Sequence, residues 1–126
     1  MSPRACPCGT GEPYAECCGL YHSGTRTAPT AEALMRSRFS AFAVGDVPYL
    51  LASWHPSTRP RDLDLDPRQR FTTLEIVGRS GGTALHTAGT VEFRAHYRVA
   101  GTSDVLHENS RFVREDGRWL YVSPVD

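Results

Sequence analysis

The run Thr90-Val91-Glu92-Phe93-Arg94-Ala95-His96-Tyr97-Arg98-Val99 decides the fold class. Val91, Phe93, Ala95, Tyr97 and Val99 fall on one side, and Glu92, Arg94, His96 and Arg98 on the other. That period of two belongs to a strand with one face in a core and one in water. Towards the C-terminus, a Gly101-Thr102-Ser103 turn leads into a strand over Val105–Arg114. Asp116-Gly117 then makes a tight hairpin into Trp119–Val122. Towards the N-terminus, Thr72–Val77 reads as a strand closed by Gly78 and Ser80-Gly81-Gly82. Pro56, Pro60 and Pro67, among alternating Arg and Asp, mark a loop with one helical turn at Pro67–Phe71. Before the loop, Thr30 is an N-cap and Gly45 a stop for a helix over Ala31–Val44. Asp46 caps a shorter helix through Tyr49, Leu50, Leu51 and Ala52 that ends near Trp54. Helices followed by an antiparallel meander make an α+β layout, with the helices over one face of the sheet.

The chain has 126 residues, 40% apolar and 22% charged, enough to build one packed core. Arg supplies all 14 basic residues against 14 acidic ones, so the net charge is zero. Schiff-base and amine-base chemistry that needs lysine is excluded. A phosphate-binding surface is disfavoured, because nucleic-acid binders carry a basic excess. No apolar run approaches the roughly 18 to 20 residues of a membrane span, and Met1–Gly11 has no apolar signal core. The expectation is a cytoplasmic protein.

Residues 1–28 differ from residues 29–126. The first segment is rich in Cys, Gly and Pro, poor in aliphatics, and needs a staple to fold. Its pattern is Cys6-Pro7-Cys8-Gly9-Thr10-Gly11, then Cys17-Cys18, with His22 four residues on. Zinc takes four soft ligands in a tetrahedron. Gly9 and Gly11 let a Cys-x-Cys turn fold around an ion, and a vicinal pair opening a helical turn supplies two more thiolates. In a reducing compartment this reads as one structural Zn²⁺ per chain rather than disulfides. Cys6, Cys8, Cys17 and Cys18 are the expected ligands, with His22 the alternative to Cys18.

The segment from Cys6 to Cys18, with Tyr14 between, resembles the SEC-C motif, the small zinc-binding tail known from the SecA translocation ATPase. The run Ala28–Phe42, then Tyr49-Leu50, Trp54-His55-Pro56-Ser57, Asn109-Ser110-Arg111-Phe112 and Gly117-Arg118-Trp119, resembles the YchJ family of bacterial proteins over nearly the whole chain. That resemblance implies a SEC-C zinc knuckle followed by a nuclear transport factor 2-like (cystatin-like) domain, a cone of helices on a curved antiparallel sheet. Many relatives carry a second SEC-C motif at the C-terminus; here no cysteine follows Cys18.

Within such a cone one residue stands out. On the Ala31–Val44 helix, Leu34, Met35, Phe39, Ala41 and Phe42 share a face, and Arg38 sits in its middle, with Arg36 pointing the other way. A core-facing arginine needs a partner. Leu106, Glu108, Ser110 and Phe112 share a partly apolar strand face, so a bidentate Arg38–Glu108 pair is expected, with Glu92 the second choice. Trp54 and His55 complete the candidate pocket. No nucleophile motif or Gly-rich phosphate loop is present. The reading favours a zinc-stapled binding module with a protein partner. The alternative is a small-molecule carrier or enzyme using the cone. Nucleic acid is the least favoured partner.

Overall fold

A computed structural model describes residues 4–125; residues 1–3 and 126, the outer limits of the two expected segments, lie outside it. Three helices, α1 (Cys18–His22), α2 (Ala31–Val44) and α3 (Val47–Ala52), precede four strands, β1 (Gln69–Gly81), β2 (Ala88–Val99), β3 (Thr102–Glu115) and β4 (Arg118–Pro124). The strands form one antiparallel sheet in the order β1-β2-β3-β4. Helix α2 begins where Thr30 Oγ1 accepts the Ala33 N–H at 3.0 Å and ends at left-handed Gly45. Asp46 caps α3 by accepting the Tyr49 N–H at 3.1 Å. Asp116 and Gly117 both take positive φ, 54° and 78°, as a two-residue hairpin turn requires.

The expected helical turn at Pro67–Phe71 is not there; β1 already starts at Gln69 and runs on past Gly78. Its register shifts between Phe71 and Thr73 and between Ile76 and Gly78, which interrupts the alternation that marks a strand in sequence. These bulges, with one in β4 at Val122 opposite Arg111 and Phe112, bend the sheet around the helix. The core lies between them: Leu34, Met35 and Phe39 of α2 pack on Leu74, Val91, Phe93, Ala95, Phe112 and Trp119. The loop after β1 fixes the start of α2, since Ala31 N–H donates to Gly82 O at 2.9 Å. A Cβ on Gly89 would stand 2.4 Å from Gly82 N, so that approach requires glycine.

Two features prepare the functional sites. Residues 53–55 pair with β4, Tyr121 N–H donating to Ser53 O at 2.9 Å and His55 N–H to Tyr121 O at 2.7 Å, and this covers the sheet edge. The rear of α2 is built of small residues, with Ser37, Ser40 and Ala41 fully buried. They admit the N-terminal segment against the helix. Among the described residues no helix is long and apolar enough to cross a membrane.

Candidate metal centre and cone cavity

Gly9 and Gly11, at φ 89° and 86°, turn the chain so that Cys6 N–H reaches Glu12 O at 2.8 Å and Ala5 bridges Pro13. A single 3-10 turn, Tyr14–Glu16, hands the chain to α1, which opens at Cys18. A Cβ on Gly19 would come within 2.7 Å of Tyr14 O, so this fold-back is tight. The result gathers the sulfurs of Cys6, Cys8, Cys17 and Cys18 within 4.8 Å of one another, three of them buried. Cys8 and Cys17 Sγ are 3.7 Å apart, and none of the four cysteines is in a disulfide. A tetrahedral ion with bonds of about 2.3 Å to sulfur separates its ligands by roughly 3.8 Å, so the donor set fits. The chemistry of the cluster fits too. A hydrogen bond from Cys18 pulls the Cys8 thiol down to about 4, while that bond and burial push Cys18 up. Thiols packed this closely share protons that a cation replaces.

The cluster is docked. His22 Nε2 lies 2.8 Å from Ser37 O on α2, and a carbonyl only accepts, so Nε2 carries the proton. Nδ1 then accepts from the Tyr14 hydroxyl at 2.6 Å. That hydroxyl is held protonated by burial and by Asp46, both of which push it up. His22 therefore stands outside the sulfur cluster with both nitrogens engaged. Cys6 Sγ meets Ser40 Oγ at 3.5 Å. Arg36, read in sequence only as facing away from the core, donates to Cys8 O at 3.0 Å and to Glu32 at 3.1 Å. Sequence reasoning missed this docking; the available signal was His22 one helical turn after Cys18, opposite a helix face of serines.

On the other side of α2, Arg38 is buried as expected, at 4% exposure, but the expected pair with Glu108 does not form. Its Nη1 donates to Leu50 O at 2.8 Å and Ser53 Oγ at 2.6 Å. Leu50 lies in the last turn of α3, where Tyr49 O and Leu51 O take the Ser53 and Trp54 N–H groups, and the guanidinium caps the helix at Leu50 O. The rings of Trp54 and Tyr121 flank it with centroids at 5.0 and 4.6 Å. Burial lowers its pKa to about 10. Glu108 takes a hydrogen bond from Ser110 Oγ at 3.3 Å, and Glu92, the second choice, pairs with His107 on the outer face.

Arg38 and Glu108 still line one cavity of about 270 Å³, walled by Phe39, Phe71, Phe93 and Ala95. Trp54 and His55 do not line it. Trp54 stands behind the guanidinium. His55 belongs to a surface loop, where Nδ1 accepts the Ser57 N–H at 3.1 Å and Nε2 donates to Glu115 at 2.8 Å. A Ser57 hydroxyl lies 2.7 Å from Nδ1.

Residues 30–124 match the family model described as YchJ, middle NTF2-like domain, and residues 5–20 match the SEC-C motif. The chain is 61% identical to a UPF0225 protein of Streptomyces coelicolor, over 96% of this chain and 94% of that one. It is 55% identical to a UPF0225 protein of Xanthomonas campestris, over 97% and 98%. The solution structure of a SEC-C motif containing protein from Rhodopseudomonas palustris superposes with a TM-score of 0.83 at 36% identity, over 97% of this chain and 99% of that one. The crystal structure of another such protein, from Psychrobacter arcticus, gives 0.79 at 26% identity, over 97% and 82%.

Proposed function

The chain belongs to the YchJ family, whose members are also named UPF0225, and on that premise we propose that it binds one structural zinc ion and acts as a binding module rather than a catalyst. The observation that carries the proposal is the closed set of four sulfurs. With Cys6, Cys8, Cys17 and Cys18 all ligating, no position is left for water or substrate, and an ion so held cross-links the chain. Thiolate softness selects zinc over the hard cations. Tyr14, His22 and Arg36 carry the cross-link to α2, so the ion orders the knuckle against the domain. A reducing, cytoplasmic compartment is part of the same reading, because thiols persist there.

The proposed partner of the knuckle is a protein, and the rim from Gly9 to Glu12, exposed while the rear packs on α2, is the surface that supports it. Native mass spectrometry of protein purified without added metal or chelator tests the zinc assignment. The expected result is one zinc per chain, lost in Cys17→Ser. An ion-free mass short by two or four protons would mean disulfides and would end the proposal.

A second reading, a small-molecule carrier using the cone, is supported by one observation. The cavity holds a buried arginine with no direct ion-pair partner, since among the described residues no carboxylate lies within 4.0 Å of Arg38.

A further inference from the structure

From that second reading, on which it rests, we infer that the cone binds a small organic acid with an apolar body and a hydroxyl or amino donor, its carboxylate on Arg38 and its donor on Glu108. The polar groups of the cavity lie on named elements and are left incomplete by the protein. Arg38 uses only Nη1, towards Leu50 O and Ser53 Oγ. No hydrogen bond to protein uses its Nε or Nη2 among the described residues, and neither atom is sealed off as Trp54 Nε1 and Asn109 Oδ1 are, so both are open to a ligand. A guanidinium edge open to an enclosed cavity is matched by a carboxylate, which can take two of its N–H groups. Tyr121 lines the same cavity and keeps its proton, because burial and the Glu108 carboxylate push its hydroxyl up. Its ring centroid lies 4.6 Å from the guanidinium, and its hydroxyl is a second donor among the lining residues.

Glu108 selects the rest of the ligand. Its carboxylate lines the cavity with one hydrogen bond, from Ser110, and would repel a plain acid that offered it nothing. A hydroxyl or ammonium on the ligand turns that repulsion into a hydrogen bond, so the pair of unlike charges reads an amphoteric molecule. Apart from Gln69 the remaining wall is apolar, with Met35, Phe39, Phe71, Phe93 and Ala95 prominent in it. A volume of about 270 Å³ holds roughly thirteen heavy atoms at protein packing density. The larger cleft beside α1, about 540 Å³, lacks this specification, since its two cations, Arg26 and Arg118, are both exposed.

The test uses the full zinc-loaded chain and three probes: 3-phenyllactate, 3-phenylpropionate and 3-phenyllactamide. Affinities are read by calorimetry and amide chemical shifts. Phenyllactate is expected to bind at least about tenfold tighter than phenyllactamide, which lacks the charge, and tighter than phenylpropionate, which lacks the donor. Glu108→Gln removes the repulsion without touching the core and should tighten phenylpropionate several-fold. Ala95→Leu fills the cavity from the sheet and should abolish binding of all three. Equal affinity for the acid and its amide, both lost in Ala95→Leu, would overturn the organic-acid inference and leave the carrier reading standing. No binding at millimolar concentration, or binding that survives Ala95→Leu, would overturn both.

Discussion

The two faces of α2 are covered by material of opposite kinds. Towards the sheet, eleven buried apolar side chains make a continuous core. Towards the knuckle, the buried cluster is Cys6, Cys8 and Cys18, with Tyr14 and Cys17 against it. One side is held by area removed from water, which needs no ion. The other has little apolar surface to fold by burial, and the proposed zinc ion would supply the missing order. A single helix thus joins a self-sufficient layer to a conditional one, and the hydrogen bonds at Ser37, Ser40 and Arg36 are the joint. The knuckle is packed into the domain surface rather than swinging free of it, and on the proposed reading its order depends on the ion.

Four perturbations sharpen that contrast. The largest effect is expected from the metal. A structural zinc supplies on the order of 10 to 16 kcal/mol to the peptide that binds it. Chelation, or Cys17→Ser, should unfold the segment before Ala28 while the sheet keeps its far-ultraviolet circular dichroism. Acid should do the same, because thiolate ligands must lose protons to bind. Phe112→Ala comes next and acts on the other layer. This side chain is fully buried, and its loss should cost about 3 to 5 kcal/mol with zinc content unchanged. Denaturant unfolding and metal analysis on one sample check both halves.

His22→Ala cuts the joint itself. It should leave one zinc bound but lower stability by about 1 to 3 kcal/mol, since Tyr14 and Ser37 both lose their partner. If zinc is lost instead, His22 is a ligand and the four-sulfur assignment falls. The smallest effect is that of Tyr14→Phe, about 1 kcal/mol at neutral pH. Its sign with pH is fixed. The folded hydroxyl ionises above the ordinary 10.0, so its contribution is complete below pH 10.0 and is lost as pH rises through the folded value. The stability gap between wild type and Tyr14→Phe should therefore close in alkali.

Much of this was legible in the sequence because it was encoded locally. Thr30, Gly45 and Asp46 are caps that act within one turn, Asp116-Gly117 fits one hairpin geometry, and the alternation from Val91 to Val99 needs no partner to be read. The cysteine spacing carried the sulfur cluster. What escaped depended on groups with no sequence signature. Arg38 was correctly read as buried, but its acceptors are a backbone carbonyl at the end of α3 and the Ser53 hydroxyl, so a search for a carboxylate led to Glu108. Ser37 and Ser40 look polar in a periodicity count, yet their small size is what lets the knuckle close on α2. Gln69 and Arg70 hid the start of β1, because a polar strand beginning next to a bulge has no alternation to show.

The central claim is that a zinc ion orders one side of α2 and not the other. Amide hydrogen exchange across the whole chain, with and without a chelator, tests it most directly. The account predicts that removing the ion abolishes protection of Cys6, Cys17, Leu20 and Ser23, whose N–H groups bond within the knuckle. Protection in β2 and β3 should remain. Loss of protection in the sheet to the same extent, or an unchanged knuckle after complete removal of the metal, would contradict it.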